Sequence, residues 1–161
     1  VIDKDLCTEL LARDLNADVH MGLQLIHGEL ATRKVSVDTR LAPDLPPVRG
    51  DHIQLQQVLL NLMMNGCDAM DAGQTDRRLQ LRTRRSVQGG VEFAVADRGA
   101  GIAPADLERI FEPFVTTKAQ GLGLGLAICR SIVEAHGGRL WATNNAERGA
   151  SLHCELPAMR D

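Results

Sequence analysis

Tyrosine is missing from this 161-residue chain, and phenylalanine and tryptophan contribute only three residues and one. So sparse an aromatic set excludes a base-stacking platform for single-stranded nucleic acid. A basic excess is missing as well. Lys and Arg number 18 against 21 Asp and Glu, a net charge of -3, which argues against nucleic acid or an acidic membrane surface as a partner. No apolar run approaches the ~20 residues that a spanning helix needs. The N-terminus lacks the charged-then-apolar layout of a signal peptide, so a cytoplasmic setting is expected, whether or not a longer parent is membrane-anchored. Cys7, Cys67, Cys129 and Cys154 show no C-x-x-C spacing and read as reduced, mostly buried thiols. His20, His27, His52, His136 and His153 show no H-x-x-x-H spacing, so no histidine-held metal centre is expected. Two phosphate-loop signatures are absent too: no Gly-Lys pair exists for a Walker loop, and G-x-G-x-x-G fails at Leu126 and Ile128.

What the chain does hold is a different glycine pattern. Gly121-Leu122-Gly123-Leu124-Gly125-Leu126 runs straight into the helix-period sequence Ala127-Ile128-Cys129-Arg130. A glycine-rich loop feeding a helix N-terminus offers unpaired N–H groups and the positive pole of the helix dipole to phosphate. The same pattern also suits a plain linker or cap. Upstream, the segment from Ile53 to about Met70 is apolar nearly all round, the pattern of a buried helix that Asp51 can cap. One polar stripe runs through it: Gln57, Asn61, Asn65 and Asp68 fall within about 80° of arc at ~100° per residue. Buried carboxamides need partners. Either neighbouring backbone satisfies them or they line a polar cavity, where neutral amide oxygens suit a Mg²⁺ ion that arrives with phosphates.

In chain order, Leu10 to Leu15 reads as a short edge strand and Asn16 as the cap of a helix to about Thr32. Val35 to Leu41 alternates as a strand, and Pro43 to Pro47 breaks regular structure. Leu79 to Val87 and Val91 to Ala96 form a hairpin through Gln88-Gly89-Gly90. Asp97, backed by Gly99 and Gly101, ends the second strand as a tight turn or as an acceptor for an exocyclic amine. Pro104 opens a short helix, Ala105 to Ile110. Phe111 and Phe114 read as core or hinge aromatics, and Glu112 to Gln120 as a lid. Lys118 is the only lysine after Lys34; it is either solvated or placed to neutralise charge beside the glycine loop. A helix from about Leu124 to His136 stops at Gly137-Gly138. Arg139 to Asn144 and Ala150 to Leu156 close the chain as a hairpin. The expected architecture is a two-layer α/β sandwich, a mixed sheet of five or more strands against three main helices.

Asn61 and Asn65, Asp97-Arg98-Gly99-Ala100-Gly101-Ile102, Ile110-Phe111-Glu112-Pro113-Phe114 and the Gly-Leu loop resemble, in this order, four boxes of one family. They are the N box, first glycine box, F box and second glycine box of the ATP-binding domain of bacterial sensor histidine kinases. That family shares its Bergerat-type fold with the gyrase, mismatch-repair and heat-shock chaperone ATPases. The resemblance runs roughly from Asp14 to Pro157 and takes in Thr116-Thr117-Lys118 and Ile132 to Gly138, where His136 reads as structural. The wording Asn65-Gly66-Cys67-Asp68-Ala69-Met70 is closest to the oxygen- and nitrogen-sensing kinases. By this resemblance residues 1–13 end an upstream linker or helix, and residues 14–161 are the ATP-binding domain.

The resemblance implies ATP and Mg²⁺ as cofactors. Asp97 would read the adenine amino group, with Gly99, Gly101 and Ile102 against the ring. Thr117, Lys118, Gly121, Leu122, Gly123, Leu124, Gly125 and Leu126 would border the phosphates. Asn65, helped by Asn61, would hold the metal, and Asp68 would lie at the nucleotide where another subgroup has lysine. Gln57, Asn61 and Lys118 are the implied catalytic set. Where the hydrolases of the superfamily carry a water-activating Glu, this chain has Asn61, and an amide cannot act as a general base. Gln57 stands where many histidine kinases have Glu or His. No H-E-x-x-x-P acceptor motif occurs, and neither His20 nor His27 fits one. The implied partners are a histidine-bearing dimerisation domain and, downstream, a response regulator. A serine kinase of the anti-sigma-factor type and a non-catalytic ATP-sensing module are the alternatives.

Overall fold

Asp14, not Asn16, opens the first helix. The computed structural model describes residues 11–113 and 125–159. In it the Asp14 carboxylate accepts from the N–H groups of Asn16 and Ala17 at 3.1 and 3.4 Å and caps helix α1, Leu15–Leu25. Asn16 makes a long-range tie. Its Nδ2 donates to the Ala42 carbonyl at 2.7 Å, and its Oδ1 accepts from the Thr83 hydroxyl at 2.7 Å. The expected single helix to Thr32 is broken at Ile26, whose φ of -100° and ψ of 9° leave helical geometry; α2, His27–Arg33, follows. Ile26 itself is buried, so the break lets both segments keep their apolar residues Val19 and Leu30 in one core. Packing decides here over helical periodicity.

The remaining elements are β1 (Leu11–Arg13), β2 (Ser36–Leu41), β3 (Val48–Gly50), α3 (His52–Asp68), β4 (Arg78–Arg85), β5 (Val91–Ala96), α4 (Gly125–Ala135), β6 (Arg139–Asn144) and β7 (Ala150–Leu156). The expected helix over Ala105–Ile110 is two separate 3-10 turns, Pro104–Asp106 and Arg109–Phe111, that press Phe111 into the core. Five strands form one mixed sheet in the order β2-β4-β5-β7-β6, parallel only between β2 and β4, while β1 and β3 pair separately. The two-layer sandwich and its five-stranded sheet agree with the expectation.

Helix α3 is the central rod. Asp51 caps it through Gln54 N–H at 3.0 Å, and Leu55, Val58, Leu59, Leu62 and Met63 are buried against the sheet and the flanking helices. Each such side chain contributes roughly 1.5–3 kcal/mol of transfer free energy. His136 ties two helix ends: its Nδ1–H donates to the Ile132 carbonyl at 2.8 Å, and its Nε2 accepts from Asp51 N–H at 3.2 Å. Cys67, Cys129 and Cys154 are free and buried as expected, and burial pushes the first two thiols up to about 11.

One core position breaks the pattern. Gln56 is 8% exposed, faces Gly22 of α1, and neither end of its amide makes a hydrogen bond among the described residues. An unpartnered buried amide costs about 1–3 kcal/mol. Gln56→Met, nearly isosteric, is therefore expected to raise the melting temperature by roughly 2–8 °C for a chain of this size, read by calorimetry.

Candidate functional site

The last turn of α3 meets the loop that leaves β5, and glycines set how close they come. A Cβ on Gly66 would lie 2.6 Å from Leu79 and 3.8 Å from the Cβ of Asp97. One on Gly99 would lie 2.3 Å from the Ala69 carbonyl oxygen, closer than any side chain allows. Residue 101 has a φ of +85°, which glycine adopts without penalty.

The carboxylate of Asp97 is 7% exposed. Its Oδ1 accepts from Gly99 N–H at 2.8 Å and Ala150 N–H at 3.1 Å, while Oδ2 takes no hydrogen bond among the described residues. Burial pushes this carboxyl above the usual range, and the two N–H bonds pull it only part of the way back. A buried acceptor oxygen beside small residues is suited to read an amino group.

The stripe on α3 leads away from that carboxylate. Asn65 is half-buried, and its carboxamide makes no hydrogen bond among the described residues. Asn61, one turn back and also half-buried, lies beside the Cys129 thiol of α4 and lowers its pKa against the effect of burial. From Ala69 to Asn61 the helix rises ~12 Å, so the stripe joins the Asp97 loop to α4. Gln57 is exposed. Asp68 is exposed too, and its Oδ1 pairs with Arg33 of α2 at 2.5 Å. Ile102 and Leu126 are half-buried against the core, and Gly125 opens α4 with nothing among the described residues within 4 Å of where a Cβ would lie. Phe114, Thr116, Thr117, Lys118, Gly121, Leu122, Gly123 and Leu124 lie outside the described residues.

Several residues that hold the site carry no signal of it in sequence. Asn144, ending β6, receives Ile102 N–H on its Oδ1 at 2.8 Å and donates to the Ile102 carbonyl at 2.7 Å, clamping the loop like one more strand. Asn145 donates to the Asp97 carbonyl at 3.0 Å and accepts from the Ser151 hydroxyl at 2.5 Å. Gln74 and Arg148 both donate to the Arg98 carbonyl, at 2.9 and 2.7 Å. The Asn-Asn pair, whose first member still pairs with Ala150 in the β6–β7 ladder, is the one mark they leave.

Residues 50–160 match the family model of the histidine kinase-, DNA gyrase B-, and HSP90-like ATPases. The sensor protein FixL of Bradyrhizobium diazoefficiens is 41% identical over 133 residues, which are 81% of this chain and 26% of FixL. The nucleotide-free catalytic domain of histidine kinase ThkA superposes with a TM-score of 0.80 at 26% identity, covering 94% of this chain and 98% of that domain. Full-length ShkA in complex with AMPPNP superposes with a TM-score of 0.81 at 28% identity, covering 94% of this chain and 31% of ShkA. ThkA is also solved in complex with the response regulator protein TrrA (27% identity, TM-score 0.77, 92% and 42% covered). Fold and site thus define an ATPase-type nucleotide-binding domain. The chain belongs to the histidine kinase-, gyrase B- and HSP90-like ATPase family, in its branch of histidine kinase catalytic domains. It spans about a quarter of the curated sensor proteins it matches first. No helix among the described residues is long and apolar enough to cross a membrane.

Proposed function

We propose that this domain binds Mg-ATP between α3, the Asp97–Ile102 loop and α4, and passes the γ-phosphoryl group to a histidine on a separate dimerisation domain, from which a response regulator takes it. The observation that carries the reading is Asp97. Its Oδ1 is committed to backbone while Oδ2 is left to accept from the adenine amino group, and AMPPNP in ShkA is a ligand of that class. Gly99, Gly101 and Ile102 make room for the ring, with Asn144 holding Ile102.

The donor set fits Mg²⁺. Two neutral, half-buried side-chain carboxamides one turn apart, that of Asn65 without a hydrogen bond among the described residues, suit an ion that keeps most of its ligands as phosphate and water. Among the described residues no cluster of three His, Cys, Asp or Glu side chains could hold a metal alone. The metal supplies charge neutralisation; the chain supplies placement. Asn61 orients phosphate without activating water, so transfer to an acceptor is favoured over hydrolysis. Gln57, exposed on α3, is free to position the acceptor imidazole. Thr117, Lys118, Gly121, Leu122, Gly123, Leu124, Gly125 and Leu126 border the phosphates in this reading. Asp68 enters through its pairing with Arg33 at the end of the stripe.

Asn65→Ala is expected to lower transfer to an added acceptor domain by about 10²–10³-fold, with the melting temperature unchanged because the carboxamide makes no hydrogen bond among the described residues. Radiolabelled ATP measures this, and the label on the acceptor should be acid-labile. Acceptor left unlabelled by wild-type domain that binds ATP would count against the reading, as would an acid-stable product.

A further inference from the structure

The sheet has a second face. Leu79 and Leu81 of β4 and Phe93 and Val95 of β5 turn towards the helices, so the pleat leaves Arg82, Ala94 and Ala96 on the side the helices do not cover. There we propose a docking trough for an extended, carboxylate-rich segment of a partner polypeptide, held by Arg40, Arg82 and the arginines at its ends.

Register builds the trough. Arg82 stands beside Ala94, Ala94 beside His153, and Ala96 beside Ser151. Two alanines on the central strand therefore form a low floor between longer side chains, and the concavity measures about 550 Å³. Arg40, Arg78, Arg82, Arg98 and Arg148 line it against the carboxylates of Asp38, Asp97 and Glu147, although the whole chain is net acidic. Those three carboxylates are already engaged: Asp38 with Arg40 at 3.4 Å, Glu147 with Arg98 at 3.3 Å, and Asp97 with backbone N–H groups. Asp76 pairs with Arg78 and Arg98 at 3.8 and 3.7 Å, and the arginines still outnumber the carboxylates around the trough. Arg82 makes no ion pair or hydrogen bond among the described residues, yet it lies directly across the β2–β4 pair from Arg40. Like charges directly opposite are unfavourable, and while Asp38 already offsets Arg40, Arg82 has no counter-charge among the described residues.

The distribution of charge selects the occupant. Arg78 and Arg82 are four residues apart, ~13 Å along β4, so no single anionic group reaches all the guanidinia. An open face also cannot enclose a small ligand as a cleft does. An extended peptide with carboxylates on alternate residues repeats its charge every ~7 Å, the same-face repeat of the strands beneath it. Guanidinium forks match carboxylates in pairs.

The one tryptophan reports on this face. Trp141 stacks on His153, a lining residue, with ring centroids 5.0 Å apart, and Arg139 caps it at 4.0 Å. Trp141 emission of the chain would be followed on titration with a decapeptide alternating Glu and Ala. Saturable binding is expected, with affinity falling tenfold or more between about 20 and 200 mM salt as screening takes effect. Arg40→Glu/Arg82→Glu should weaken it at least tenfold and the milder Arg82→Gln about threefold, with ATP affinity unchanged in both. The proposal is overturned by no saturable signal, by an equal response to a Lys-Ala decapeptide, or by undiminished binding to the folded variants. It is equally overturned if stoichiometric inorganic triphosphate displaces the peptide, which would mark a small-anion site. Sedimentation showing the face covered by a second copy of the chain would overturn it too.

Discussion

Asp97→Asn is expected to lower ATP affinity by about 10- to 100-fold, the value of one hydrogen bond to a charged acceptor, while the domain stays folded. An asparagine in this place keeps an Oδ1 to receive Gly99 and Ala150 N–H, so the loop is still held. Its Nδ2, however, turns a donor towards the adenine amino group, itself a donor. Stability should not suffer. A carboxyl raised by burial contributes stability below its unfolded pKa and loses that contribution as pH rises through its folded pKa, so at neutral pH Asp97 adds none. The same shift fixes the pH dependence of binding in the wild type. Affinity should fall as pH drops through the raised Asp97 value, so the acid limb lies above the ordinary ~3.9 of aspartate, and the limb should vanish in Asp97→Asn. Calorimetric titration against pH measures both. An unshifted acid limb, or wild-type affinity in the variant, would remove Asp97 from the base site.

Gly149→Ala should do comparable damage from outside the site. Residue 149 has a φ of +85°, and an added Cβ would lie 2.2 Å from the Asp97 carbonyl oxygen and 2.6 Å from Oδ1. Left-handed backbone costs an L-residue roughly 1–2 kcal/mol. Displacing packed backbone adds about 1–3 kcal/mol more. A fall of about 10 °C in melting temperature is expected, together with loss of the thermal shift that ATP gives. Gly28→Ala is the control: a Cβ there meets nothing within 4 Å, so neither quantity should fall. If both variants behave alike, the close approach of Gly149 to Asp97 does not hold the site.

Much of this protein was legible as pattern. The alternation in Arg139–Asn144 and Ala150–Leu156 gives β6 and β7 with the bounds observed, and the all-round apolar run after Asp51 gives α3 with its cap. Both succeed because burial on one or every face imposes a period that a window of a dozen residues displays. The order of the Asn, Asp and Gly boxes likewise identifies the family, since each box is a short local pattern. Pattern misplaced what depends on partners far along the chain. Asn16 looked like a cap, but Thr83 and Ala42 claim its amide. The helix expected to reach Thr32 broke at Ile26, where burial of two apolar faces outweighed helix continuity.

The sequence by itself determined the two-layer fold, the rod with its carboxamides and the carboxylate at the end of β5, because each rests on periodicity or on the identity of a few neighbouring residues. Only the tertiary structure decided that backbone N–H groups claim Asp97 Oδ1 and leave Oδ2 without a hydrogen bond among the described residues. Asn144, Asn145 and Gly149 reach that loop across more than forty residues of chain. It alone also gathered arginines of neighbouring strands and loops onto one open face, since strand order and register, which no local window carries, set which side chains meet.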